Sequence, residues 1–112
     1  MPIKCDEYGH VCVISVSGDF IAPDADEVRK AVEVRVDSRQ AVNFVIDFER
    51  SRFIGSDGLE TLLAVRRRCE DRRGHVRLSS LDDNCRQILH ITRLDRRFEC
   101  HPDVATAMKA TG

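Results

Sequence analysis

The residues best suited to chemistry in this chain stand in one turn, Gly55-Ser56-Asp57-Gly58. Ser56 offers a hydroxyl where an apolar pair, Phe53-Ile54, hands over to a segment of helical period that begins at Leu59. A helix start carries free backbone N–H groups and the positive end of the helix dipole, so it suits an anion. Two readings follow. Either Ser56 or Asp57 caps the helix, a common use of both residue types, or Ser56 is a phosphorylatable hydroxyl. In the second case the helix end tolerates the added charge and a docked partner does not.

Other chemistries lack their required residues. The nucleophile elbow of hydrolases, G-x-S-x-G, needs glycine where this chain has Ile54. The histidines, His10, His75, His90 and His101, are scattered along the sequence. A phosphate-binding loop would need Gly-Lys followed by Ser or Thr, which the Gly55–Gly58 turn lacks. No Cys/His pair has zinc spacing. No catalytic residue, metal or cofactor is therefore expected, and the chain is not read as an enzyme. Arg66-Arg67-Arg68 and Arg72-Arg73 fall near the end of the helix that Ser56 opens. They suit the dipole's negative end or face an acidic partner, and Arg93, Arg96 and Arg97 permit the same two readings.

The turn is held by a strand before it and a helix after it. Val42 to Ile46 is an apolar run interrupted only by Asn43, the pattern of a strand buried on both faces, and Asp47 is expected to end it. Leu59, Leu62, Leu63 and Cys69 approximate one apolar helical stripe, with Glu60, Thr61, Arg67, Arg68 and Glu70 outside it. Gly74 is expected to close this helix as a C-cap.

Upstream, residues 2–8 and Val11–Val16 read as a hairpin around Gly9-His10, with Pro2 acceptable at the start of an edge strand. Pro23 sits in a first helical turn, and Ala25, Val28, Val32 and Val36 mark the buried face of a helix running to about Asp37. Downstream, His75–Ser79 is a short strand with Val76 and Leu78 on one face. Asp82 or Asp83 caps a third helix with Cys85, Ile88 and Leu89 inside. Leu94 and Phe98 anchor its exit, Phe98–Cys100 adds a last strand, and Pro102-Asp103 opens a final helix facing inward with Val104, Ala107 and Met108. The order predicts an α/β fold: a single mixed β-sheet with an N-terminal hairpin, right-handed crossovers and about four helices.

Composition bounds the rest. The 112 residues suit one domain, 1–112, and the 42% hydrophobic and 33% charged shares are those of a soluble globular protein. A net charge of −1 argues against general nucleic-acid binding. Charge follows directly after Met1-Pro2-Ile3, so no signal peptide is read, and no stretch reaches membrane-spanning length. The five cysteines, Cys5, Cys12, Cys69, Cys85 and Cys100, are odd in number and widely spaced. They read as reduced core-filling thiols of a cytoplasmic protein.

Four segments together resemble the STAS domain of bacterial anti-sigma factor antagonists: SGDFIAPDADEVRKAV, VNFVIDFERSRFIGSDGLETLL, GHVRLSS and ILHITRLDRRFE. The resemblance covers nearly the whole length. It implies a protein-binding regulatory module that docks on an anti-sigma factor of the serine-kinase kind, with a phosphatase as a further partner. The phosphorylation site it implies is Ser56, and the partner-binding residues are Asp19, Phe20, Ser56, Asp57, Gly58, Glu60 and Thr61. The chain departs from the family pattern at three places. Gly55 replaces a frequent aspartate, Asp57 replaces a second serine, and Ile21 lacks a carboxylate often found there. An alternative within the resemblance is a non-catalytic STAS subunit of a membrane lipid-transport ATPase, acting as a constitutive scaffold.

Overall fold

The computed structural model describes residues 3–111, and the expected start of the first strand at Pro2 lies outside them. Two strands, β1 (Ile3–Tyr8) and β2 (Val11–Ser17), form the predicted hairpin, with Tyr8 opposite Val11 and Gly9 at φ 62° in the turn. Helix α1 (Asp24–Asp37) follows, then β3 (Asn43–Arg50), α2 (Ser56–Glu70), β4 (His75–Ser79), α3 (Asp83–Ile91), a short 3-10 turn at Leu94–Arg96, β5 (Glu99–His101) and α4 (Val104–Thr111). The five strands make one mixed sheet in the order β1-β2-β3-β4-β5. Its first pair is antiparallel and the others are parallel.

Alternation along the strands divides the core in two. Cys12, Ile14, Val16, Phe44, Ile46, Phe48, Val76 and Leu78 pack with buried residues of α1, α2 and α3 on one face. Val11, Val13 and Val45 meet Ala107, Val104 and Met108 of α4 on the other. Helix α1 buries Ala25, Val28, Val32 and Val36 as its period requires. Asp82 caps α3, its carboxylate accepting from Cys85 N at 2.8 Å, and this bond holds the acid below its usual range.

Several expectations change. Asp47 does not end β3; it lies inside the strand, buried, and its carboxylate accepts from Ser79 Oγ on β4 at 2.9 Å. A polar residue can occupy that buried position because a hydroxyl across the strand pair satisfies it. Helix α2 is turned from the predicted stripe. Gly58, Thr61, Leu62, Val65 and Cys69 are its buried residues, while Leu59 and Leu63 are half-buried at the core margin. Thr61 thus leaves the solvent face, because an α2 seated against the loop after β2 takes its inner line through Gly58.

Gly74 is not the cap of α2, which ends at Glu70. Arg73 adopts the left-handed conformation (φ 63°) instead. Gly74 supplies room, since a Cβ there would stand 1.9 Å from the Val42 carbonyl oxygen. The last strand, Glu99–His101, lies one residue beyond the predicted Phe98–Cys100, and Phe98 turns into the core.

Candidate functional site

Two loops that leave the sheet side by side build the site. The loop after β2 is tied to the loop after β3 by Gly18 N to Arg50 O at 3.0 Å, Phe20 N to Phe53 O at 2.8 Å and Gly55 N to Phe20 O at 3.1 Å. Phe20 and Ile54 form an isolated parallel bridge within this ladder. Phe20 is fully buried and meets Phe48 edge to face, with ring centroids 5.5 Å apart. It is therefore the post on which both loops rest, and its ring is not available to a partner, contrary to the sequence expectation.

Helix α2 starts directly on this post. A Cβ at Gly58 would stand 2.4 Å from the Phe20 carbonyl oxygen and 2.7 Å from Phe20 Cδ2, so only glycine lets the first turn approach so closely. Gly55 is the N-cap, in an extended conformation, and no side chain caps the helix. Ser56 is the first helical residue and is exposed. The capping role open to Ser56 and Asp57 in the sequence is thus taken by neither. The first bond of the helix ladder runs from Leu59 N to Gly55 O at 2.9 Å, so the N–H groups of Ser56, Asp57 and Gly58 precede it.

Of the predicted partner-binding residues, Asp19, Ser56, Asp57 and Glu60 are exposed, while Phe20, Gly58 and Thr61 are buried. Phe20 and Gly58 instead form the seat of α2, and Thr61 sits on its inner line. Asp57 and Glu60 join Asp26 and Arg29 of α1 along a cavity of about 440 Å³ between the two helices, with Ala22, Thr61 and Ala64 in its walls. Arg29 is paired there with Asp26 at 3.1 Å.

Two residues absent from the predicted set complete the surface. Ile21 is 39% exposed and Phe53 44% exposed, and both flank Gly55: a Cβ on that glycine would lie 2.7 Å from Ile21 Cγ2 and 3.5 Å from Phe53 Cε2. The signal in the sequence was the pair of departures at positions 21 and 55. Their contact becomes visible only when the two loops are laid together.

Elsewhere, burial pushes the Cys12 thiol up to about 11 and the Cys69 and Cys85 thiols up to about 12, so these three are core fillers and not nucleophiles. No group of side chains suited to a metal ion occurs among the described residues. No helix among them is long and apolar enough to cross a membrane.

A mixed five-stranded sheet with helices on both faces, presenting an uncapped serine at a glycine-seated helix start, defines an α/β module built around a surface turn. The chain belongs to the STAS domain family, whose family model matches residues 2–107. Among solved structures it is similar to an anti-sigma factor antagonist from Mycobacterium paratuberculosis, at 27% identity and a TM-score of 0.83, over 97% of this chain and 92% of that one. The Bacillus cell fate determinant SpoIIAA in its phosphorylated form is 16% identical with a TM-score of 0.80, over 98% and 99% of the two chains. A sulfate transporter family protein from Wolinella succinogenes is 18% identical with a TM-score of 0.83, over 93% and 86%. The last two likenesses speak for the fold alone.

Proposed function

We propose that residues 1–112 act as one cytoplasmic domain, an anti-sigma factor antagonist that docks on an anti-sigma factor with serine-kinase activity. Phosphorylation of Ser56 by that kinase releases the module, and a phosphatase restores it. The observation that carries this reading is the state of Ser56: exposed, first in α2, and relieved of capping by Gly55. The likeness to the Mycobacterium antagonist supports it. Asp19, Asp57 and Glu60 supply the polar contact surface around the serine, and Phe20, Gly58 and Thr61 support it from beneath.

The phosphate would meet the free N–H groups of the first turn and also the Asp57 carboxylate. These effects oppose each other at about 1 kcal/mol each on an exposed site, so the domain's own stability changes little. The switch then acts at the interface, where a dianion without a prepared counter-charge is desolvated against the partner. Ser56→Asp is expected to melt like the wild type and bind the anti-sigma factor at least tenfold more weakly, while Ser56→Ala binds and resists inactivation. Calorimetric titration against the kinase reads both. Wild-type affinity in Ser56→Asp would sink the switch.

A second reading has its own observation, the exposed apolar pair Ile21 and Phe53 beside Ser56. Such a surface suits a constitutive scaffold, a non-catalytic subunit of a membrane lipid-transport ATPase. It predicts that both Ser56 variants bind a nucleotide-binding subunit equally.

A further inference from the structure

A second concave site lies away from the Ser56 surface, between α3, the 3-10 turn and β5. It has a volume of about 360 Å³ and is lined by Leu81, Arg86, Leu89, His90, Asp95, Phe98, Cys100 and Pro102. The floor is apolar and backed by the core: Leu81, Leu89 and Phe98 are buried core residues at 7%, 1% and 5% exposure. The rim is polar. A buried apolar floor with a few convergent polar groups, in this size range, is the ordinary construction of a small-molecule site.

The rim charges specify the ligand. His90 Nδ1 lies 3.0 Å from Asp95 Oδ2, so that carboxylate already has a partner. Arg86 spends only its Nε, donating to the Leu81 carbonyl oxygen at 3.3 Å. Among the described residues no carboxylate pairs with Arg86, which leaves the two terminal nitrogens of its guanidinium as an open fork. Arg86, Asp95 and Cys100 all line this one cleft. A single planar fork matches one carboxylate in bidentate fashion. With Asp95 on the same rim, a phosphate dianion meets one cation and one anion and is the poorer fit.

We propose that this cleft binds a small amphipathic monocarboxylate, its apolar body on Leu81, Leu89 and Phe98 and its head on Arg86. The site is independent of the Ser56 reading and stands or falls separately.

Octanoate, octanol and octyl phosphate serve as probes in calorimetric titrations of the full chain. Octanoate is expected to bind saturably, at least tenfold tighter than octanol and tighter than octyl phosphate. Arg86 is exposed, so Arg86→Gln should melt like the wild type while losing at least tenfold in octanoate affinity and none for octanol. Bound octanoate should also slow alkylation of Cys100, on the rim, several-fold without protecting Cys5. Tighter binding of octyl phosphate would overturn the carboxylate assignment. Unsaturable octanoate binding, or an unchanged affinity in Arg86→Gln, would overturn the site.

Discussion

Gly55 has an extended backbone, φ −83° and ψ 177°, that any residue can adopt. Its missing side chain is therefore a matter of space, and the space is filled by Ile21 Cγ2. Positions 21 and 55 form one unit: a β-branched residue on one loop excludes a side chain on the other. Gly55→Ala should destabilise the fold, and Ile21→Ala should relieve most of that loss. A double-mutant cycle by chemical denaturation should give a coupling of about 0.5–3 kcal/mol, whereas simple additivity would mean that the loops separate freely. His75 gives a second prediction at this scale. Its Nε2 is buried without a hydrogen-bond partner, and burial, aided by Arg77, lowers its pKa from the ordinary 6.5. The folded state then binds fewer protons than the unfolded one, so stability is present above about pH 6.5 and falls as the pH drops below it. Urea titrations at pH 7.5 and 5.5 should show a loss that His75→Gln reduces. Ser56 could be read from its neighbours in the sequence because a helix start is a local property. The Ile21–Gly55 contact could not, because it is made through space between segments more than thirty positions apart.

Helices and strands were legible where one face alone decides. Val28, Val32 and Val36 of α1 recur at helical spacing and are fully buried, while Val34, off that line, is exposed. In α2 the sequence offered more apolar residues than one stripe holds, and Thr61 was assigned outward on polarity. Its burial follows from the close seat of Gly58 on Phe20, a constraint no periodicity carries. This gives contrasting expectations for two neighbouring leucines. Leu62 is fully buried, so Leu62→Ala should cost about 2–5 kcal/mol. Leu63 is half-buried at the core margin, so Leu63→Ala should cost clearly less. Equal losses in denaturant titrations would mean that α2 is rotated from the position described. In β3, Asp47 looked like a terminus because a lone carboxylate is a poor strand interior. Its acceptance of a bond from Ser79 Oγ makes it an interior residue after all.

Taken as a whole, the molecule is asymmetric about its sheet. Three helices close one face through a large core, and α4 alone closes the other over Val11, Val13 and Val45. The small cluster should therefore open first. Ala107→Glu places a charge where Ala107 is fully buried. It should detach α4 and speed amide exchange there while α1 and α2 stay protected, a difference hydrogen exchange by mass spectrometry reads directly. Uniform acceleration across the chain would show instead that the two faces unfold together. The mixed sheet was legible from the order of hairpin, helix and strand signals, but the unequal cover of its faces was not, since both sets of apolar residues lie alternately on the same strands.

The sheet order β1-β2-β3-β4-β5 has one more consequence. Each strand lies beside the one made just before it, so a chain emerging from the ribosome extends an edge that already exists and never has to be threaded between finished neighbours. By the time α2 has been synthesised, the loop after β2, the loop after β3 and the Gly58 seat are all present. The surface around Ser56 is thus specified by the early part of translation, and the later strands and helices brace it.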